Sequence, residues 1–313
     1  MDKPKLKQIL NNITENISKL LKGNDETLKK AICTFFSGGH LLIEDVPGTG
    51  KTTLAKAFAK SVDMDFSRIQ FTPDLMPADI TGVSIFNHSK NTFEFKKGPV
   101  FSNIVLADEI NRASPRTQSA LLEAMGEGQV STDSGLFTLE KPFFVIATQN
   151  NVESRGTYSL PESQMDRFTM KLSLGYISVD EEIQILTANG FVKQLEELTP
   201  VASSDSIIKA IEAIEKVKVS SELKHFIVTI ANRTRNAHGI KLGTSPRASL
   251  NLMKVAQAVA AFDGRDFVVP DDILSVAVDV LAHRLILDNS SYLSGISRES
   301  TILSILENIK VPG

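Results

Sequence analysis

The sequence contains little cysteine and no long hydrophobic run. Its single cysteine, Cys33, cannot form a disulfide within the chain, which is typical of a reducing compartment. No apolar stretch approaches the ~18 residues that a membrane-spanning helix needs, and the amino terminus leads into an amphipathic stretch instead of a signal-peptide core. These absences argue against a disulfide-stapled secreted domain and against a membrane span, and we expect a cytoplasmic location.

An excess of positive charge is also missing. With 34 Lys and Arg against 37 Asp and Glu, the formal net charge is −3, so charge alone does not favour binding to nucleic acid. The five histidines form no close ligand cluster with cysteine or carboxylates, and we therefore expect no zinc site. They are His40, His88, His225, His238 and His283.

An apolar strand leading into a glycine-rich turn is the most informative feature present, in residues 41–52 (LLIEDVPGTGKT). Glycine lets successive backbone N–H groups point at phosphate oxygens. Lys51 is placed to reach the β- and γ-phosphates and the Thr52 hydroxyl to hold Mg²⁺, in front of a helix whose dipole faces the anion. The usual pattern opens with glycine, where this chain has Asp45. The predicted nucleotide-binding residues are Asp45, Val46, Pro47, Gly48, Thr49, Gly50, Lys51, Thr52 and Thr53.

Short apolar runs alternate with helical patterns after two amino-terminal helices. Such runs, buried on both faces, predict a parallel sheet covered by helices. The runs are residues 41–43, 69–71, 104–107, 143–147 and 170–174. Segments 73–99 and 128–139 predict two inserted hairpins, each of which could instead be surface decoration.

Beyond residue 176 the pattern changes to helices without strands. Apolar residues three and four apart predict helices over 207–217, 223–235, 246–262 and 270–287. Ser245-Pro246 and Pro270-Asp271 are expected helix starts. We predict a nucleotide-binding α/β domain with its amino-terminal helices at residues 1–176 and a helical domain at residues 177–313.

Polar residues follow two of the predicted strands, at the edge where open α/β sheets bind ligands. Asp108 would hold Mg²⁺, directly or through water, and Glu109 would accept a proton from the attacking water. The phosphate loop upstream favours this interpretation over a solvated loop start. Asn150, after the fourth strand, could orient the water or could be an ordinary turn residue.

Two arginines are candidates for stabilising the charge that develops in phosphoryl transfer. They are Arg167, in the run LPESQMDRF, and Arg247, in the run GTSPR. Sequence spacing does not show which subunit's nucleotide either one would reach. Each could instead be a surface salt-bridge partner.

Six segments in this order resemble the MoxR family of AAA+ ATPases, and the resemblance covers nearly all of residues 32–284. They are residues 44–52 (EDVPGTGKT), 68–75 (RIQFTPDL), 106–113 (LADEINRA), 118–125 (QSALLEAM), 147–150 (ATQN) and 166–168 (DRF). The implied fold is an AAA+ P-loop parallel sheet flanked by helices, with a helix-2 insert and a pre-sensor-1 hairpin, followed by an all-α helical lid domain. The EDVPG opening is familiar in that family, which accounts for Asp45.

The same resemblance implies roles for the candidate residues. Residues 51–52 would belong to Walker A and residues 108–109 to Walker B, while Asn150 would be sensor 1. Arg167 looks like an arginine finger that acts on nucleotide in the neighbouring subunit. Arg247 looks like sensor 2 on a lid helix, acting within its own subunit or across an interface.

Proteins of this family typically form hexameric rings and act as chaperone-like remodelers, commonly beside proteins with a von Willebrand A domain. The implied cofactors are ATP and Mg²⁺, and the implied function is ATP hydrolysis at subunit interfaces that remodels or matures a protein client. A nucleic-acid-stimulated motor and a nucleotide-gated scaffold with little turnover are the alternatives. The acidic charge balance disfavours the first, and the presence of Glu109 and Arg167 argues against the second.

The chain departs from the family pattern at three positions. Asn151 follows Asn150 where proline is common, and Gly126 and Gly128 stand where charged residues are usual. The two glycines would give the base of the second hairpin extra backbone freedom and remove side chains that could contact a client. This composition argues against a client-contacting role for that hairpin.

Overall fold

Five parallel strands form the sheet on which the candidate site is built. The computed structural model describes residues 1–21, 25–45, 49–150, 157–175 and 195–312. The elements up to residue 175 are α1 (Lys3–Ser18), α2 (Asp25–Phe36), β1 (Leu41–Glu44), α3 (Lys51–Ser61), β2 (Phe66–Gln70), α4 (Pro77–Thr81), β3 (Gly82–Asn87), β4 (Thr92–Lys97), β5 (Ile104–Asp108), α5 (Pro115–Glu127), β6 (Gln129–Thr132), β7 (Gly135–Thr138), β8 (Phe144–Gln149), α6 (Glu162–Met165) and β9 (Met170–Leu172). The sheet order is β2-β5-β8-β1-β9, which confirms the prediction of a parallel sheet.

Each face of the sheet is covered, because successive side chains of a strand point to opposite faces. Leu41 and Ile43 belong to a core that also contains α1, α2, α3 and helices of the carboxyl-terminal part. Leu42 belongs to the second core, with α5 and the base of the second hairpin. The amino-terminal helices therefore join the sheet and the helical part in one continuous apolar core. Cys33 lies fully buried in it, and burial raises the pKa of its thiol to about 12.

Two antiparallel hairpins extend from the sheet, as predicted. Strands β3 and β4 form the first and strands β6 and β7 form the second. The hairpins contact each other through the stacked rings of Phe95 and Phe137, whose centroids are 4.3 Å apart. At the free end of the first hairpin the side chain of Phe93 is 73% exposed.

The carboxyl-terminal part consists mainly of helices, and serines begin several of them. The helices are α7 (Ser204–Ile214), α8 (Ser221–Asn236), α9 (Pro246–Phe262), α10 (Pro270–Leu281), α11 (Asn289–Leu293) and α12 (Arg298–Glu307). The hydroxyls of Ser203, Ser220 and Ser245 each accept a backbone N–H in the first turn of α7, α8 and α9. Such caps satisfy N–H groups that have no partner within the helix. The predicted starts of α9 and α10 are confirmed. No helix in the described ranges is long and apolar enough to span a bilayer.

The expectation that this part has no strands was wrong. Strand β10 (Ile240–Leu242) pairs antiparallel with strand β11 (Ile286–Leu287), and the helix predicted over 270–287 ends at Leu281. Apolar residues continue to residue 287, so the hydrophobic periodicity did not show that the helix ends at Leu281. His283 and Arg284 instead leave the helix in a short 3₁₀ turn and reach the backbone oxygen of Phe168. The division into domains at residue 176 stays a prediction, because residues 176–194 lie outside the described ranges.

His40 links the start of the sheet to α5, and this contact predicts a pH dependence of stability. Its Nδ1 accepts the N–H of Val145 at 3.1 Å, and its Nε2 lies 3.2 Å from the carbonyl oxygen of Met125, to which it donates. Burial lowers the pKa of His40 from 6.5 to about 4. Protonation of Nδ1 would also remove the acceptor that Val145 uses.

The unfolded chain therefore binds a proton at a pH where folded His40 does not. We expect the free energy of unfolding to be highest above about pH 6.5 and to fall as the pH drops towards 4, by up to ~1.4 kcal/mol per pH unit for this histidine. Urea unfolding at pH 7 and pH 5 measures the effect. His40→Gln should flatten the slope without abolishing it, because burial also lowers the pKa of His283. An equal slope in the parent and the variant would contradict the assignment.

Candidate functional site

The predicted phosphate loop leads into α3, beside the carboxyl ends of β1, β5 and β8. Gly50 has φ = +88°, a conformation that favours glycine, and precedes the first residue of the helix. Lys51, Thr52 and Thr53 lie in the first helical turn and are half-buried. Val46, Pro47 and Gly48 lie outside the described residues, so their predicted contacts with nucleotide stay a prediction.

Lys51 faces the acidic edge of the sheet. Its Nζ donates to the carbonyl oxygen of Asp45 at 2.9 Å. Burial lowers the pKa of the Lys51 ammonium group, and the charges of Asp45, Asp108 and Glu109 act in the opposite direction. The lysine is therefore desolvated and close to carboxylates, an environment that suits a cation that will contact phosphate oxygens.

Asp108 and Glu109 are connected through one hydroxyl on the adjacent strand. Thr148 Oγ1 donates to Asp108 Oδ1 at 2.7 Å and accepts the N–H of Glu109 at 2.8 Å. Glu109 has φ = +57°, a left-handed conformation that is uncommon for a residue with a side chain. Because the Thr148 bond holds this backbone, the hydroxyl fixes where the Glu109 side chain leaves the strand.

Both carboxylates also have side-chain partners that sequence reasoning missed. Arg68 Nη2 donates to Asp108 Oδ2 at 2.7 Å. Glu109 Oε2 accepts from Arg112 Nη1 at 2.9 Å and from Gln70 Nε2 at 3.3 Å. The available signal was the alternation of Arg68 and Gln70 on one face of β2. Using it requires knowing that β2 pairs with β5, which the sequence pattern does not reveal.

Asn150 and Gln149 carry buried oxygens without a partner among the described residues. Asn150 is 7% exposed, and neither its Oδ1 nor Gln149 Oε1 accepts a hydrogen bond there. A buried polar atom that stays unpaired costs free energy, so such an atom at a strand end suits a polar ligand. This fits the predicted role of Asn150 in orienting water.

The residue types fit a nucleotide with magnesium. Lys51 and the start of an 11-residue helix are suited to phosphate oxygens. The Thr52 hydroxyl and the Asp108 carboxylate supply the oxygen ligands that Mg²⁺ prefers. Asn150 adds a buried acceptor with no partner in the described part of the chain. These residues therefore include both the groups that bind phosphate and the oxygen ligands that bind Mg²⁺.

Asp45, which stands where the usual phosphate-loop pattern has glycine, ties the loop to the edge strand. Its Oδ2 accepts the N–H of Leu174 at 2.7 Å and the N–H of Gly175 at 2.9 Å. Its own N–H donates to the carbonyl oxygen of Gln149 at 3.3 Å. One residue thus joins the beginning of the loop to the ends of β8 and β9.

Arg167 follows α6 and lies against α5. Its Nη1 donates to the carbonyl oxygen of Leu122 at 2.6 Å, and its guanidinium covers Gly126 so closely that a Cβ there would collide with it. Gly126 therefore belongs to α5 and not to the second hairpin. Gly128 ends α5 with φ = +64°. Gly128 thus has a conformational reason to be glycine, and Gly126 leaves room for the Arg167 side chain.

Arg247 lies in the first turn of α9, two residues after Ser245, and is exposed. Burial lowers the pKa of the Arg284 guanidinium to about 10, and the like charge of Arg247 acts in the same direction. Arg284 contacts Asp166, the neighbour of Arg167. The two predicted arginines are therefore connected through residues that the sequence did not single out.

Comparison with known proteins gives matches over both parts of the chain. Residues 40–170 match the family described as "ATPase family associated with various cellular activities (AAA)", and residues 232–303 match the "AAA lid domain". The chain is 46% identical over 307 residues to the uncharacterized protein YeaC of Bacillus subtilis, across 98% of this chain and 96% of that protein. It is 38% identical over 305 residues to the chaperone MoxR1 of Mycobacterium tuberculosis, across 95% of this chain and 80% of that protein.

A solved structure gives the same result for the fold. The crystal structure of a candidate ATPase from Cytophaga hutchinsonii matches with a TM-score of 0.92 and 38% identity. The match covers 99% of this chain and 97% of that one. The expected fold, a nucleotide-binding α/β sheet followed by a lid domain, is confirmed.

Asp45→Gly restores the usual opening of a phosphate loop and tests what Asp45 contributes. We expect the free energy of unfolding to fall by about 2 kcal/mol, because two N–H groups lose a charged acceptor and the loop gains freedom in the unfolded chain. Asp45→Asn is the matched control, since it keeps one acceptor oxygen and should lose less than half as much. Urea denaturation measures both. A glycine variant as stable as the parent would show that the contacts with Leu174 and Gly175 contribute little.

Proposed function

Because this chain belongs to the MoxR family of AAA+ ATPases, we propose that it hydrolyses ATP with Mg²⁺ at the interfaces between subunits of a ring and uses the reaction to remodel a protein client. The observation that carries the proposal is the convergence of Lys51, Asp108, Glu109 and Asn150 at one edge of the parallel sheet. This set contains a cation for phosphate, a metal ligand, a base and a water-orienting amide.

Each of these residues has one step to perform in hydrolysis. Lys51 and the amides at the start of α3 bind the phosphates. Mg²⁺, held by Thr52 and Asp108, would neutralise charge on the phosphate oxygens when bound. Glu109 takes the proton of the attacking water, and its left-handed backbone, fixed by Thr148, aims the carboxylate.

Arg112 and Gln70 hold one oxygen of the Glu109 carboxylate. Both contacts are to Oε2. Asn150 Oδ1, a buried acceptor without a partner among the described residues, would orient the attacking water.

Arg167 and Arg247 supply the remaining positive charge. In this proposal Arg167 reaches nucleotide bound by the adjacent subunit, so a single chain would be a poor enzyme. Within its own chain the Arg167 guanidinium donates to the carbonyl oxygen of Leu122. Arg247, on the lid helix α9, contacts the γ-phosphate of nucleotide bound in its own subunit or across the subunit interface.

The client part of the proposal follows the name of one relative, chaperone MoxR1. A hexameric ring, a von Willebrand A domain partner and a protein client are the expected assembly. The first hairpin extends from the sheet domain, and its exposed side chains include Phe93. A nucleic-acid substrate is disfavoured by the net charge of −3.

Lys51→Ala tests the proposal at its centre. We expect turnover of ATP to fall by about 10²- to 10³-fold, the usual effect of removing a group that stabilises charge in the transition state. Lys56→Ala, a lysine later in the same helix, is the control and should keep the parent rate. Phosphate release from purified protein measures both. Parent-level turnover by the Lys51 variant would refute the assignment of this site.

Glu109→Gln separates binding from chemistry. The amide keeps the shape of the side chain but cannot take a proton, so turnover should fall by about 10²- to 10⁴-fold while ATP still binds and the ring accumulates in an ATP-bound form. Glu123→Gln, on the exposed face of α5, is the matched control. ATP affinity by fluorescence titration and particle mass by light scattering complete the measurement. An ATP-loaded variant that stays monomeric would count against the ring.

A further inference from the structure

A charged cluster with a buried arginine joins the sheet domain to the helical domain next to Arg167. Its members are Asp166, Ser245 and Arg284, and we call it the Asp166 cluster. Arg284 has 2% of its side chain exposed and donates from Nε to Asp166 Oδ1 at 2.9 Å. Its Nη2 donates to the carbonyl oxygen of Phe168 at 2.5 Å. Without Asp166 the buried guanidinium would keep its bond to Phe168 but lose its counter-charge, which is strongly unfavourable.

Ser245 connects Asp166 to the lid helix that carries Arg247. The Ser245 hydroxyl donates to the Asp166 carboxylate, with 2.9 Å to each oxygen. The same Oγ accepts the N–H of Ala248 at 3.3 Å and so caps α9. One hydroxyl therefore fixes both the start of α9 and the position of the Asp166 carboxylate.

The lid side of the cluster is rigid. Thr244, the residue before Ser245, is buried, and its N–H donates to Thr234 Oγ1 at 3.0 Å. Arg235 Nε donates to the carbonyl oxygen of Thr244 at 2.9 Å. Because both partners belong to α8, Ser245 cannot shift without the helices around it.

On the sheet side of the cluster, the residues that follow Asp166 are also held by hydrogen bonds and burial. Thr169 donates its N–H to the carbonyl oxygen of His40 at 2.8 Å. Phe168 is fully buried in the core around α5. Arg167 is the residue directly after Asp166, and its side chain ends on Leu122. A shift of Asp166 therefore changes the backbone from which the Arg167 guanidinium is directed.

We propose that Asp166, held by Ser245 and Arg284, is a positioning residue that makes the aim of Arg167 depend on the placement of the helical domain in the same subunit. The proposal rests on the function proposed above, in which Arg167 acts on the neighbouring nucleotide. Each subunit would thereby present its arginine to the neighbour according to the position of its own lid. Arg247, two residues beyond Ser245, connects that position to the nucleotide.

A purely structural role for the cluster predicts a different result. If the cluster only stabilises the junction, weakening it would lower stability and affect ATP binding and hydrolysis together. If it aims Arg167, weakening it slows hydrolysis and leaves nucleotide affinity unchanged, and the effect disappears once Arg167 is removed.

Ser245→Ala is the mild test variant, and Ser220→Ala is its matched control. Both changes remove the serine cap of a lid helix, since Ser220 Oγ accepts the N–H of Leu223 at 3.2 Å. Of these two serines, Ser245 is the one that contacts Asp166 in the described structure. We expect Ser245→Ala to lower kcat by about 10-fold, a typical effect of slight misplacement of a catalytic group, with ATP affinity within about twofold of the parent. Ser220→Ala should change kcat by less than about twofold, and Ser245→Thr, which keeps the hydroxyl, should restore the rate.

The same two serine variants are then combined with Arg167→Ala. Single-turnover hydrolysis, thermal stability and light scattering are recorded for every protein. Ser245→Ala should add no further loss to Arg167→Ala, because the two residues act in series. An additive loss, a loss equal to that of Ser220→Ala, or a parallel loss of ATP affinity would overturn the positioning role. Parent-level hydrolysis by Arg167→Ala alone would instead overturn the proposed function, so the two failures are distinguishable.

Discussion

Strand β5 lies between β2 and β8, and the parallel pairing of these three strands is the constraint on which the site depends. The register places Gln70 opposite Asp108 and Leu106 opposite Ile146, so polar residues just beyond each strand come to one edge. The buried hydrogen bonds of the sheet hold this register, because a slip by one residue would turn every apolar side chain to the wrong face. Thr148, at the end of β8, then hydrogen-bonds both to the Asp108 carboxylate and to the backbone N–H of Glu109 and so sets their relative position.

The two parts of the chain are coupled by two kinds of contact. The apolar core that runs from α1 and α2 through the sheet to the lid helices is non-directional and tolerates small rotations. The Asp166 cluster is directional, because a guanidinium, a carboxylate and a hydroxyl keep their distances only in one arrangement. The first contact holds the helical part against the sheet, and the second defines its angle beside Arg167.

The fold was largely predictable from the sequence, and the carboxylate partners were not. Apolar runs gave the parallel sheet, and alternation around Asp133 gave the second hairpin. The roles of Arg68 and Gln70 depend on strand order, a long-range property that local patterns do not contain. The end of α10 at Leu281 was missed for a related reason, because Arg284 leaves the helix to reach an oxygen more than one hundred residues earlier in the chain. Gly126 was assigned to the base of the second hairpin, but it lies in the last turn of α5, where the Arg167 guanidinium packs on it.

Asp45 attaches the start of the phosphate loop to the chain that follows strand β9. Its carboxylate grips the two amides at Leu174 and Gly175, where the chain leaves the edge strand β9. These bonds connect the start of the loop to the chain just beyond β9 directly, without an intervening strand. The first residue of the predicted phosphate loop is therefore also the attachment point of the segment that follows β9.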